Sequence, residues 1–335
     1  MSIGSLALPS PRVLIVGDLM LDEYLVGQAS RISPEAPVPV VEVTQRKYVL
    51  GGAANVASNI VGLGAQAFVL GIIGNDLAGE KLSSLLTERG IESTAVVVCP
   101  NRPTTCKSRV MSGQQQIVRF DCEERSALSS PYQDRLLTAF HENLALCDIC
   151  IFSDYGKGVL SDQFCRIALP AAKAAGKPVI VDPKGSSYEK YRDCSLITPN
   201  LKEASQAAHV DIEKEQDLFQ AGKTLLHLLP GSAVLVTRGA DGMTLFRDGH
   251  SPVTIPTAAQ TVFDVVGAGD TAVAALAVSL AQGFSMEIAM RLSNAAAGVA
   301  VGKHGTVAVT QAEWMEHPEV RPIFHDRKTS GLVRA

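Results

Sequence analysis

Gly267-Ala268-Gly269-Asp270 carries the most chemistry in this chain, preceded by Asp264-Val265-Val266 and followed by the small, apolar run 271–280. Such a run is a good helix by propensity, so the glycines fall at the mouth of a helix. Small residues there let the N–H groups of Gly267, Ala268 and Gly269 face an anion, with the helix dipole behind them. Asp270 then stands in the first turn, beside that anion. A carboxylate in this place is poorly suited to holding the anion. It is well suited to taking a proton from an attacking hydroxyl while the N–H groups stabilise a transferring phosphoryl group. A plain glycine turn with an acidic first turn would leave the same letters.

Further polar residues stand where buried strands end. Arg12–Gly17 reads as a parallel strand, and Asp18 follows at its carboxyl end, where open α/β sheets bind ligands; it is a candidate for sugar hydroxyls. Lys157, in the glycine turn Asp154-Tyr155-Gly156-Lys157-Gly158, and Lys184, in Asp182-Pro183-Lys184-Gly185, follow two more strands and could each meet an anion. Gly51-Gly52 open a helix over 53–63, where they allow close approach of a sugar, and Asn55 can donate to and accept from hydroxyls. Asn200 and Glu203, at i and i+3 of a helix start, share one face and could orient a hydrated Mg²⁺ between phosphates, Glu203 acting through water. As alternatives, each of these residues could be a turn, cap or surface residue.

The elements that must position these groups alternate between strand and helix almost from end to end. Strands are expected at 12–17, 67–73, 94–99, 148–153, 178–182, 196–198 and 233–237, and helices at 76–89, 131–146, 161–175, 216–229 and 286–301, beside those opened at Gly52 and Gly267. Asp248-Gly249 marks a hairpin turn. Asp22–Thr44 has no helical period; with 105–121 it reads as a small β insertion whose Pro-containing strand, 37–43, is an edge. Two decoys are rejected. Gly62-Leu63-Gly64 follows a helix and precedes a strand, the reverse of a dinucleotide fingerprint, and Gly222-Lys223-Thr224 lies inside an amphipathic helix.

Three stretches, in order, make the chain resemble the ribokinase-like (PfkB) sugar kinases: Gly51-Gly52-Ala53-Ala54-Asn55-Val56-Ala57, Thr198-Pro199-Asn200-Leu201-Lys202-Glu203-Ala204 and Asp264–Asp270. The resemblance implies a three-layer αβα core around a mainly parallel sheet, with a small β-sheet lid formed by about 22–44 and 104–121. It implies Asp270 as catalytic base and Gly267–Gly269 as anion hole. Nucleotide contacts would come from Asn200, Leu201, Lys202, Glu203, Thr237, Gly239, Gly242 and Asn294, and substrate contacts from Asp18, Gly51, Gly52 and Asn55. The loop Lys303-His304-Gly305-Thr306 would border the base. ATP and Mg²⁺ are the implied cofactors, with K⁺ or a similar monovalent cation as a further candidate. Within the family, Gly17–Tyr24, Arg31–Val40, Asp154–Leu160 and Val181–Lys184 resemble the D-glycero-β-D-manno-heptose-7-phosphate kinases, which phosphorylate O1 on the way to ADP-heptose and the lipopolysaccharide inner core. In many bacteria that kinase is fused to a nucleotidyltransferase, and an end near residue 335 would leave that activity to another protein. Lys107, Arg109 and Arg119 on the lid, with Lys157 and Lys184, are the cations available for the substrate's phosphate. Other sugars or nucleosides, or a silent sugar- or nucleotide-binding module, are the alternatives.

Composition sets the outer bounds. The 335 residues carry a net charge of −4, which speaks against a general nucleic-acid or membrane-surface binder. Seven cysteines at irregular spacing form no disulfide framework; Cys147 and Cys150 read as buried free thiols of a cytoplasmic protein. Residues 1–11 are expected to be a flexible leader, 12–320 the kinase domain and 321–335 a loose polar tail. The lid carries more apolar side chains, among them Val38, Val40, Val41, Val43, Ile117, Val118 and Phe120, than one substrate can cover, and predicts a homodimer packed lid to lid.

Overall fold

The structure, a computed structural model, describes residues 10–303, 305 and 307–329, and the elements below are counted over these. Most of the leader call, together with His304, Thr306 and 330–335, lies outside them. In chain order the strands are β1 (Arg12–Gly17), β2 (Leu19–Ile32), β3 (Pro39–Gly52), β4 (Gln66–Leu70), β5 (Ile72–Ile73), β6 (Val97–Val98), β7 (Thr105–Ser112), β8 (Gln115–Cys122), β9 (Ile149–Ser153), β10 (Val179–Asp182), β11 (Leu196–Ile197), β12 (Ala233–Thr237), β13 (Met243–Phe246) and β14 (Val253–Ile255). The helices are α1 (Ala53–Gly62), α2 (Leu77–Glu88), α3 (Ser130–Leu144), α4 (Asp162–Ala174), α5 (Leu201–Ala208), α6 (Glu215–Leu228), α7 (Ala268–Ala281), α8 (Met286–Val301), α9 (Gln311–Glu316) and α10 (Arg321–Thr329).

Eight strands form the central sheet in the order β14-β13-β12-β11-β10-β9-β1-β4. It is parallel from β4 to β12, and the hairpin β13–β14 adds an antiparallel edge. Runs such as Val13-Leu14-Ile15-Val16 are apolar throughout because both faces are covered. Val13 and Ile15 point into one core with α1, α7 and α8. Leu14 and Val16 point into the other with α3, α4, α5 and α6, where Phe140, Phe152 and Phe164 pack with ring centroids 5.9 Å apart. This is the three-layer αβα fold that the sequence predicts. The chain leaves β1 to place β4 on one side, and later places β9 on the other. The carboxyl ends of β1 and β9 therefore border a topological switch point, where open α/β sheets hold ligands.

A second sheet, β3-β2-β7-β8, stands off this core as the lid. Its strands run further than the sequence indicates. β2 and β3 pair from Leu19–Gly52 out to Ile32–Pro39, so the lid grows straight out of the core instead of beginning near residue 22. The polar stretches Gln28–Arg31 and Thr44–Lys47 gave no alternation to read, since both are largely exposed. In the opposite direction, only Val97–Val98 of the expected strand 94–99 pairs. The tail expectation is corrected as well: 321–329 is helical, with Phe324 buried against Trp314 and Phe284. All seven cysteines are free; Cys147 and Cys150 are buried with sulfurs 3.6 Å apart.

Candidate active site

Helix α7 opens on Gly267, whose φ of 80° lies in the left-handed region that favours glycine. Being apolar on every side, the helix runs buried between α1 and α8. Polar pairs fix its start. The Thr271 hydroxyl donates to Asn59 Oδ1 at 2.9 Å, and Asn55, one turn earlier on α1, donates through Nδ2 to Asp270 Oδ2 at 2.5 Å. The Tyr155 hydroxyl donates to the other oxygen, Oδ1, at 2.5 Å. Asp270 is thus a buried carboxylate held at both oxygens. Burial pushes its pKa up to about 6, against the pull of the Tyr155 and Asn55 hydrogen bonds and with a further push from the charge of Asp22. Tyr155 itself is pushed well above its ordinary range by burial and by Asp270, so it stays a donor. A carboxylate with a pKa near 6 is ionised at neutral pH and still basic enough to accept a proton.

Beside Asp270 lies a cleft of about 720 Å³, lined by Gly267–Gly269, Asp182, Lys184, Asn200, Glu203, Thr237, Gly239, Gly242 and Asn294 among others. That volume is of small-molecule size. A Cβ added at Gly269 would meet nothing within 4 Å, so the helix start presents open space and bare backbone. Of the three N–H groups expected to form an anion hole, that of Ala268 is turned to the carbonyl of Val265 at 3.3 Å. That of Gly269 belongs to the first helical turn, which has no intrahelical acceptor, and the N–H of Asp270, not among the three, shares that turn. Asn200 and Glu203 do share one end of α5, but as a capping box: Glu203 N–H donates to Asn200 Oδ1 and Asn200 N–H to Glu203 Oε2. Glu203 also pairs with Lys184 Nζ at 2.8 Å. Leu201 and Lys202 do not line the cleft; Leu201 packs toward the core and Lys202 faces solvent. Asn294 Nδ2 donates to the Pro256 carbonyl and so steadies the wall that carries Val262 and Val265.

Several substrate-side expectations are corrected. Asp18 is engaged within the protein: its buried carboxylate accepts from the N–H groups of Tyr155 (2.8 Å), Lys157 (3.0 Å) and Val159 (3.3 Å), clamping the loop after β9 onto β1. Gly51 and Gly52 make room for the protein's own atoms. A Cβ at 51 would come within 2.6 Å of the Asp22 carboxylate, and one at 52 within 2.5 Å of the Asp18 carbonyl. Asn55 serves the base. Lys184 belongs to the cleft with Glu203. Arg119 lies toward the lid's edge with Asp121, its side chain 49% exposed. Three residues were missed from sequence. Tyr155 sat inside a motif already singled out, and only the contact across 115 positions reveals its partner. Asp22 bonds Arg109 Nη1 at 2.6 Å and lies close enough to raise the pKa of Asp270. Asp182, behind the Asp-Pro turn, is held well above the usual carboxyl range by burial and by the charges of Asp270 and Glu203.

Among the described residues, no group of three or more His, Cys, Asp or Glu side chains could hold a metal ion. A cation that arrived with nucleotide phosphates and kept most of its water would need no such cage, and the Glu203 end of the cleft fits that mode. Nor is any helix among the described residues long and apolar enough to cross a membrane.

Comparison with known proteins follows the same lines. The bifunctional protein HldE of Desulfatibacillum aliphaticivorans is 44% identical over 323 residues, covering 96% of this chain and 66% of that protein. HldE of Geotalea uraniireducens is 46% identical over 302 residues, covering 90% and 62% respectively. The chain thus spans slightly less than two-thirds of the length of these relatives. Among solved structures, phosphofructokinase-2 from Escherichia coli in complex with potassium superposes with a TM-score of 0.76 at 23% identity, covering 92% of this chain and 98% of that one. Arabidopsis thaliana ribokinase complexed with ribose and ATP gives 0.72 at 22% identity, with the same coverage. At these identities the likeness is one of fold. The model of the pfkB family carbohydrate kinases matches residues 10–313. With that match over a ribokinase-like fold, the chain belongs to the pfkB family and is a sugar kinase, a phosphotransferase with an alcohol group as acceptor.

Proposed function

We propose that this kinase transfers the γ-phosphoryl group of ATP to O1 of D-glycero-β-D-manno-heptose 7-phosphate, giving the 1,7-bisphosphate, in the cytoplasm and in service of ADP-heptose and lipopolysaccharide inner-core synthesis. The observation that carries the reaction is Asp270: a buried carboxylate with a pKa near 6 at the N-terminus of α7, between the cleft and the lid. The 44–46% identity to HldE proteins favours the heptose-phosphate substrate.

ATP would lie in the cleft, its base against the apolar rim of Val262 and Val265 and its phosphates toward Gly269, Asn200 and Thr237. Lys184 would pair with those phosphates. The sugar would lie between Asp270 and Asp22, with its reacting hydroxyl directed at Asp270. Tyr155 and Asn55 hold the carboxylate while it takes that proton, and the free N–H groups of α7 face the phosphoryl group in flight. Mg²⁺ bound between the phosphates would neutralise their charge, and Glu203 and Asn200 would meet its water shell. Asp182, whose pKa burial and the charges of Asp270 and Glu203 push up, lies in the same wall and accepts from the Thr198 hydroxyl. A monovalent cation such as K⁺ and a kinase domain over 12–320 belong to the same reading. So does a homodimer built through the lid.

The test is ADP release on a panel of sugars. Turnover confined to heptose 7-phosphate supports the proposal. Turnover on other sugars or nucleosides in preference to it moves the chain to another branch of the family.

A further inference from the structure

Five cations could meet a substrate phosphate, and the structure leaves two. Arg109 is committed to Asp22 and stacked over the Tyr24 ring, Arg119 lies toward the lid's edge, and Lys184 belongs to the cleft. Lys107 and Lys157 remain, and both reach one acid, Glu123, while Lys107 also lies 3.5 Å from Asp121 Oδ2. Glu123 Oε2 is 2.7 Å from Lys157 Nζ and 3.6 Å from Lys107 Nζ, and Arg125 holds Oε1 at 2.7 Å. The lysines come from different elements. Lys107 sits on β7 directly opposite Asp22 of β2, and so on the lid face that carries Asp22. Lys157 belongs to the loop that delivers Tyr155 to Asp270 and is almost fully buried. Glu123 lies just past the end of β8, outside any strand.

We infer that Glu123 is an internal stand-in for the substrate's phosphate: it occupies the seat made by Lys107 and Lys157 in the free enzyme and yields it to a phosphate monoester. This rests on the sugar-phosphate reading above. Without Glu123 the almost fully buried Lys157 ammonium would be left uncompensated, which is costly, while Lys107 would keep only Asp121 at 3.5 Å. One carboxylate oxygen facing both lysines leaves most of their six N–H donors unspent. A phosphate carries about −1.5 to −2 charge and three acceptor oxygens, so it outcompetes the carboxylate where a neutral hydroxymethyl group does not. Although partial burial works the other way, Lys157, Arg125 and Lys107 hold the Glu123 pKa down to about 2. The stand-in is therefore charged throughout the working pH range. The seat would thus select phosphorylated sugars by exchange, at the cost of some affinity.

Calorimetry with inorganic phosphate tests this on the full chain, beside KM for heptose 7-phosphate and for Mg-ATP. Lys157→Ala and Lys107→Ala should weaken phosphate binding and raise the sugar-phosphate KM by about tenfold or more, the loss of one charge-assisted contact. Glu123→Gln should do the opposite, tightening phosphate several-fold and lowering that KM. Glu123→Asp, which keeps the charge but reaches one methylene less far, should fall between the parent and Glu123→Gln, and an unchanged Mg-ATP KM will show that each variant is folded. If Glu123→Gln weakens phosphate as the lysine variants do, Glu123 is an anchor for the lysines and the inference is overturned. If phosphate tightens in Glu123→Gln but no phosphorylated sugar is turned over, the seat stands and the heptose-phosphate reading falls.

Discussion

At the scale of single residues, Asp270 and Tyr155 make separable predictions. Asp270→Asn should lower kcat by ~10²–10⁴, the range for a positioned base, while calorimetry still detects ATP and sugar binding. In the parent, kcat/KM should fall as pH drops through about 6, because the folded-state pKa of Asp270 is raised and its base form is lost below it. Tyr155→Phe removes a hydrogen bond that lowers that pKa, so the acid limb should move to higher pH; a limb that stays put would reduce Tyr155 to packing. The base was legible because glycine, small residues and an acid in fixed order dictate a helix mouth whatever else the chain does. Its partners were not. Tyr155 and Asn55 reach Asp270 from 115 and 215 positions away, and no local pattern records such a meeting. Asp18 misled for a related reason. An acid after a strand can face either a ligand or the next loop, and here three backbone N–H groups claim it.

At the scale of elements, the α5 start and the β10 end act together. Glu203→Gln should raise the Mg²⁺ concentration needed for half-maximal rate, whereas Lys184→Ala should raise KM for ATP several-fold and leave the sugar KM within twofold; the reverse pattern would return Lys184 to the substrate. Glu203 also closes the α5 capping box, a place where Gln can still accept from the Asn200 N–H, so Glu203→Gln should leave Tm nearly unchanged while the Mg²⁺ titration shifts. The βα units were readable because strands buried on both faces are continuously apolar and the helices between them keep a 3.6 period. The lid strands were readable only in part. Beyond Gly27, β2 is exposed on both faces, so neither burial nor alternation marked its length. α10 was missed because its sequence is mostly polar and Phe324, buried among the described residues, gives no apolar period to read.

At the scale of the whole molecule, the face of the lid opposite Asp22 is the unexplained surface. Val118 and Phe120 are 49% and 52% exposed there, and Ile32 at the end of β2, Val38 just before β3 and Val43 on β3 are exposed as well. Isolated small sheets are marginal, and such patches usually mark an interface. Sedimentation at micromolar concentration should therefore give twice the monomer mass. Val118→Asp with Phe120→Asp should give monomers whose sugar KM rises while the ATP KM holds. A fully active wild-type monomer would leave the patch without an account.

β2 leaves the switch point one residue after β1, runs to the lid tip, and β3 returns along it to Gly52, where α1 begins and carries Asn55 to the base. A strand of 14 residues is about 46 Å long at ~3.3 Å per residue. The lid is thus a lever pivoted at the active site, and a tilt of about 10° at its root sweeps the tip through roughly 8 Å over that length. The same ratio works in reverse. Whatever holds the tips therefore also limits the tilt at the root, where β3 passes into α1 and Asn55 meets Asp270.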